Sequence, residues 1–426
     1  ILCPMPSNGL PEVFPASLLK LLRGEVTPGV QHFAVLGGIE AIVRGIGLSV
    51  YPLLMYRALG DAAMVAQIYF MVGLLSLLAA LAVPQLTRRL PRRWVYTLGV
   101  SLYLVSAGLA MVGGRATVAA LLCQTLATAT AFVCFNAYVL DHVAKTEFSR
   151  LESLRLLYGG VGWTVGPVLG VWLLQFWQGA PFVIVGLAAM VMLTVFWLMR
   201  LGDGRRIGDA SKASSYPWAY LPRFFSQPRL VAGWFFAVMR SCAWWIYIVY
   251  VGIFAVQNGL GEQIGGIATS LANLGLFFAP LMLRWMMRRS VRAAVRTGFA
   301  AAAGCFTLAA VFSPLPWATV AVLMLGSYFL VLLDICGGLP FLMSVKPSQR
   351  TEMSAVYSSF RDVSGILSPG IAWLVLQFSP VPGVFAAGAV ALLAAWWVAG
   401  GLHPELGVPG SQRVRERPGR IEHPAR

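Results

Sequence analysis

Apolar runs of about twenty residues recur along nearly the whole chain. At 1.5 Å per residue, such a run crosses the ~30 Å hydrocarbon of a bilayer once as an α-helix. A membrane β-barrel would show alternating segments of about ten residues instead. With 58% hydrophobic residues, 11% charged residues and a mean hydropathy of +0.75, the chain is apolar all round rather than around one core. The sequence therefore predicts an all-α membrane protein with twelve transmembrane helices. The first six lie near 32–56, 62–85, 94–113, 116–140, 155–177 and 181–200, and the second six near 230–256, 264–286, 296–313, 317–342, 354–377 and 382–402.

The net charge of +16 would suggest nucleic acid if it formed one soluble patch. Its distribution argues against that partner, because the basic residues gather in alternate loops. One set holds Arg88, Arg89, Arg92 and Arg93, then Lys145 and Arg150, then Arg284, Arg288, Arg289 and Arg292, then Lys346 and Arg350. The opposite set holds only Arg57 and Arg115. By the positive-inside bias, both termini are cytoplasmic. The expected organisation is a leader at 1–31, a six-helix bundle at 32–201, a charged linker at 202–229, a second bundle at 230–402 and a basic tail at 403–426. The tail is expected to lie near anionic headgroups. The proline-bearing leader has no basic start and does not read as a signal peptide.

The two halves repeat one another. Arg44 is followed by Tyr51, and Arg240 by Tyr247, each seven residues on. The Arg88–Arg93 cluster recurs about 200 residues later at Arg288–Arg292, and Gly166-Pro167 recurs as Ser368-Pro369 at an offset of 202. Three landmarks at one spacing indicate a duplication that yields two pseudo-symmetric six-helix bundles. A guanidinium in hydrocarbon is costly and usually functional, so the paired arginines point to a polar site between the halves.

The most specific local element is Gly162-x-x-x-Gly166-Pro167-x-x-Gly170 in the fifth span, with Val171 where a further glycine would complete it. Its glycines allow two helices to approach closely, and Pro167 bends the span and frees a carbonyl. The motif, the six-plus-six arrangement and the basic loops after spans two and eight resemble the major facilitator superfamily over about residues 30–402. The motif is similar to the one associated with its drug–proton antiporters. The resemblance implies a secondary transporter with a small-molecule substrate and protons as coupling ion. The loop from Pro84 to Arg93 departs from the family pattern, with Arg88 in the acidic position and Pro84 and Pro91 in place of glycines. The loop–helix charge pairing usual in the family is therefore not carried over.

The candidate substrate or proton site is Glu40, Arg44, Tyr51, Arg240, Trp244, Tyr247, Asp334 and Arg361. Glu40 and Arg44 are one helical turn apart and are read either as a static salt bridge or as part of substrate and proton handling. Arg240 has no acid on its own helix, so its partner comes from elsewhere or from the substrate. Asp334 is expected to pair with Arg361 across helices ten and eleven, as a gate or as a lock. Gly162, Gly166, Pro167, Gly170 and Pro369 are assigned to gating or helix packing. Trp94, Trp163, Trp172, Trp177 and Trp317 read as belt anchors or packing residues.

The four histidines sit at span edges or in tails, and the six cysteines show no CxxC spacing, so neither a metal nor a cofactor is expected. No clustered catalytic residues and no Walker-type loop occur, so an enzyme or ATP-driven pump is not expected. The leading expectation is a monomeric, proton-coupled carrier in a bacterial inner membrane, acting as an exporter. The source rests on 28 Arg against 4 Lys. An uptake carrier for an organic anion and a non-transporting sensor remain open alternatives.

Overall fold

The computed structural model describes residues 29–144, 147–199, 221–345 and 350–403. Its first half runs α1 (Val30–Leu59), α2 (Ala62–Arg89), α3 (Arg92–Val112), α4 (Ala116–His142), α5 (Phe148–Leu173) and α6 (Ala180–Leu198). Its second half runs α7 (Leu221–Phe225), α8 (Pro228–Gln257), α9 (Gln263–Leu274), α10 (Ala279–Arg288), α11 (Val291–Val311), α12 (Pro316–Cys336), α13 (Leu339–Ser344), α14 (Arg350–Ser358), α15 (Phe360–Leu376) and α16 (Val381–Ala399). Eleven segments among the described residues are long and apolar enough to cross a membrane. The protein is an all-α, multi-span integral membrane protein. The expected leader and tail lie almost wholly outside the described residues, as do Lys145, Lys346 and the linker up to residue 220, while the rest of the expected linker forms α7 and the start of α8.

Helices are the only open-ended answer in lipid, because each satisfies its backbone hydrogen bonds within itself. Their ends are closed locally. Asp61 accepts a hydrogen bond from the Ala63 amide at 2.9 Å to start α2, and Ser290 accepts one from Ala293 at 3.0 Å to start α11. Gly60, at φ 70°, takes the left-handed conformation that stops α1 and turns the chain.

Three expected spans are broken. The eighth is interrupted at Gly275–Phe278 by a tighter 3₁₀ turn ahead of Pro280, which has no amide to continue the ladder. The tenth stops at Cys336, where Gly337, Gly338 and Pro340 follow in quick succession. The eleventh is split at Ser359, whose hydroxyl accepts a hydrogen bond from the Trp234 indole at 3.1 Å. That leaves α15 with 17 residues, just short of a full crossing unless α14 extends it.

Packing sets up the site. α1 lies along α5 and α3 along α4, while α11 contacts both α12 and α16. The halves meet through α5 with α9, α2 with α15 and α1 with α8. Trp94, Trp172, Trp177 and Trp317 are all exposed near helix ends, as expected for interfacial anchors. Trp163 is not one of them.

Candidate substrate cavity

The fifth-span motif places α1. A methyl group added to Gly162 would sit 2.7 Å from the Ala41 carbonyl carbon, and one on Gly166 would sit 2.7 Å from that of Gly45. One on Gly170 would meet Val50 at the same distance. Only glycine lets the α1 and α5 backbones approach this closely.

Pro167 then does a second job. Lacking an amide, it leaves the Trp163 carbonyl four residues earlier without its helical donor. Asn273 Nδ2 on α9 donates to that carbonyl at 2.8 Å, and Ser270 Oγ accepts from the Val168 amide at 3.0 Å. The kink is thus the polar seam between α5 and the second half. Pro369 frees the Gly365 carbonyl in α15 in the same way, and that oxygen faces Gly73 on α2.

Between these two seams lies a cavity of about 260 Å³. Arg44, Gly47 and Tyr51 line it from α1, Tyr69 and Ser76 from α2, and Gln124, Thr125 and Thr128 from α4. Trp163 closes it from α5, Trp245 from α8, and Arg361, Asp362 and Gly365 from α15. The Arg44 guanidinium lies over the Trp163 ring at 5.1 Å. Trp163 is therefore a wall of this cavity rather than a belt anchor. Tyr51 is buried, with its hydroxyl 2.6 Å from Ser106 Oγ.

The expected site residues divide into two groups. Arg44, Tyr51 and Arg361 meet at the cavity. Glu40 sits behind Arg44, its Oε1 3.8 Å from the guanidinium and without a hydrogen bond. That is an ion pair by charge, but it is too long to be a hydrogen bond.

Arg240, Trp244 and Asp334 form a separate cluster. Arg240 Nε lies 3.0 Å from Asp334 Oδ1, and Trp244 Nε1 donates to Asp334 Oδ2 at 2.9 Å. The expected Asp334–Arg361 pair is corrected accordingly: the α12 carboxylate turns to α8, where Arg240 pairs with one oxygen by charge and Trp244 donates a hydrogen bond to the other. Arg361 makes no ion pair among the described residues and lies over the rings of Phe132 and Phe360 at 5.8 and 5.6 Å. Tyr247 is buried beside Trp244 and donates to the Ala268 carbonyl at 2.8 Å, away from the cavity.

Sequence reasoning missed Tyr69, Ser76 and Trp245 as wall residues, and Asn273 and Ser270 as seam residues. It also missed a link between the halves at the other end of α1. Arg57 grips Glu262, the residue before α9, with both carboxylate oxygens engaged. One signal was available: Arg57 is one of just two basic residues on its side of the predicted topology, and an acid stands on the same side.

Residues 33–369 match the family model for the Major Facilitator Superfamily. The chain belongs to that superfamily. Its members are carriers rather than enzymes, and this chain is a carrier-type membrane protein. Solved structures agree on the fold. The nucleoside transporter NupG superposes with a TM-score of 0.64 at 15% identity, covering 88% of this chain and all of its own. A bacterial homologue of the iron transporter ferroportin, in an inward-facing state, gives 0.65 at 15% identity, covering 90% of this chain and 98% of its own. At such identities the likeness is one of fold alone. No curated protein sequence matches the chain.

The superfamily's usual loop–helix charge pairing has a partial counterpart here. Within the altered loop, Arg92 is buried and reaches Asp141 at the end of α4, with its guanidinium over the Tyr138 ring at 5.1 Å. Nearby, Arg155 pairs with Glu152 at 3.2 Å.

Proposed function

We propose that this protein is a secondary active transporter that moves a small organic solute by alternating access, coupled to protons and working as an exporter. One observation carries this reading: a single cavity holds an arginine from each half of the chain, Arg44 and Arg361. Twelve spans then act as two pseudo-equivalent six-helix bundles, 32–201 and 230–402, joined by the linker at 202–229. The protein is a monomer in a bacterial inner membrane with both termini cytoplasmic.

Several features support the cycle. By the charge bias of the loops, the Arg57–Glu262 grip lies on the outer side, where it holds the halves together. Arg361 and Asp362, near the start of α15, are exposed toward the opposite side. That combination fits an arrangement closed outside and open inside. The Gly-Pro motif resembles that of drug–proton antiporters, which favours export.

Glu40 is the group assigned to the proton. It is buried, its Oε1 makes no hydrogen bond, and it faces Arg44 on its own helix, Arg155 on α5, and the phenols of Tyr96 and Tyr103 on α3. Proton uptake there loosens the hold on Arg44 and changes how the cavity binds its solute. Asp334, already paired with Arg240 and hydrogen-bonded by Trp244, is the second choice. In proteoliposomes, Glu40→Gln is expected to retain solute counterflow and to lose flux driven by a pH gradient. Undiminished gradient-driven flux would remove Glu40 from the mechanism.

A further inference from the structure

We propose that the cavity takes a small organic monoanion with a planar apolar body, its carboxylate clamped between Arg44 and Arg361. This rests on the transport reading above and names the solute class for that same cavity.

The argument starts from which guanidiniums are already engaged. Arg240 is held by Asp334, Arg92 by Asp141, Arg155 by Glu152 and Arg57 by Glu262. Arg361 makes no ion pair among the described residues, and Arg44 has only Glu40, at 3.8 Å. Arg44 and Arg361, with donors left over, line the same cavity. They are also close enough to repel one another. An anion placed between them removes that repulsion and gains charge-assisted hydrogen bonds from both planar forks. A cationic solute would enter against two positive charges.

Charge balance sets the valence. Two arginines stand against Asp362 on the cavity wall and Glu40 behind Arg44. With both acids ionised the group is neutral, and with Glu40 protonated it carries one positive charge, which a single carboxylate matches. A dianion would leave excess negative charge at the site.

The walls set the shape. Trp163, Trp245 and Tyr69 present aromatic surface, with the Tyr69 and Trp245 rings edge-to-face at 6.0 Å. Gln124, Thr125 and Thr128 add hydroxyl and amide groups along one side. At about 260 Å³ the cavity lies just below the range of drug-sized pockets, so the solute is small. Because Arg44 comes from α1 and Arg361 from α15, a bound anion ties the two halves together at the solute. Substrate binding itself would then drive closure over the cavity.

Three aromatic probes of similar size and different charge test this: benzoate, benzamide and benzylamine, titrated calorimetrically into the full chain in nanodiscs. Benzoate is expected to bind at least tenfold more tightly than either analogue. Arg361→Gln and Arg44→Gln should each weaken benzoate at least tenfold and leave benzamide unchanged, with Arg361→Lys recovering part of the loss. Thermal unfolding of each variant separates lost binding from lost folding, and Arg361→Lys keeps the test usable if Arg361→Gln fails to fold. The clamp is overturned if benzylamine binds best, if benzoate and benzamide bind alike, if none of the three binds, or if a folded Arg361→Gln binds benzoate as wild type does. Counterflow in proteoliposomes isolates the parent reading. Benzoate binding without flux keeps the clamp and rejects the carrier. Benzylamine flux without benzoate binding keeps the carrier and rejects the clamp.

Discussion

Arg44 and Arg240 occupy matching places in the two halves of the sequence, yet they end in different surroundings. Arg44 faces the cavity, with its only acidic partner among the described residues 3.8 Å away on its own helix. Arg240 is gripped at 3.0 Å by an acid from another helix and lies outside the cavity wall. The sequence registers explain the divergence. Where α1 has Glu40, the repeat places the buried Phe236 on α8. Where α12 has Asp334, the same offset of 196 falls on the buried Tyr138 in α4. Each half has an acid where the other has none. The acid in the second half locks its cation to a neighbouring helix, whereas the one in the first leaves its cation largely open. Matching places in the sequence do not give matching roles, because neighbouring helices decide what a charge does.

The sharpest way to break that contrast is to remove the locking acid. Asp334→Ala strands Arg240 among α8, α12 and the Phe360 ring. It should destabilise the fold by about 3 kcal/mol, at the low end for a broken buried pair because the Asp334 side chain is 34% exposed. Arg44→Gln should cost under about 1 kcal/mol, as expected for a partly exposed pair at long range. Denaturant unfolding in mixed micelles measures both, and equal losses would erase the contrast.

Arg44 points into the cavity only because α1 lies so close to α5. Gly162→Ala puts a methyl against the α1 backbone and should cost about 2 kcal/mol by overpacking. The same unfolding assay reads it, and a neutral result would mean that the helices part freely.

A subtler test concerns the seam that carries Trp163 beneath Arg44. Asn273→Ala removes the donor to the carbonyl freed by Pro167 and should cost about 1 kcal/mol. In a Pro167→Ala background that carbonyl can return to the helix, so the cost of Asn273→Ala should shrink. Additive effects of the two changes would show that the bond does not depend on the proline.

The smallest stability effect is expected at the far end of α1. Arg57→Ala should cost about 0.5 kcal/mol, because that pair is partly exposed. Its larger signature should be conformational, with label pairs on α1 and α9 moving apart in electron-resonance distance measurements. Unchanged distances would reduce the pair to decoration.

Much of this was legible in the sequence. Run length gave the long apolar helices, and Gly162, Gly166 and Pro167 marked a close helix contact that the structure places between α1 and α5. The partner of Asp334 was not legible. Arg240 and Arg361 lie on helices α8 and α15, which pack together, and both guanidiniums stand over Phe360. Choosing between them needs the rotation of each helix, and apolar all-round spans such as α6 and α16 offer no polar stripe from which to read it. Trp245 was missed for the same reason. It adjoins Trp244, but one residue turns the side chain by about 100° around the helix, toward the cavity instead of Asp334. The breaks near Gly275 and Gly337 were signalled by Pro280 and Pro340, whereas the split at Ser359 depends on a bond to Trp234 more than a hundred residues away.

The most direct measurement is aqueous reactivity at the two matched positions. In a background with the six native cysteines replaced, Arg44→Cys and Arg240→Cys would each be exposed to a membrane-impermeant, negatively charged thiol reagent from the open side. Rapid labelling at position 44 with slow labelling at position 240 is the predicted result. Equal labelling at both positions, or none at 44, would contradict the account.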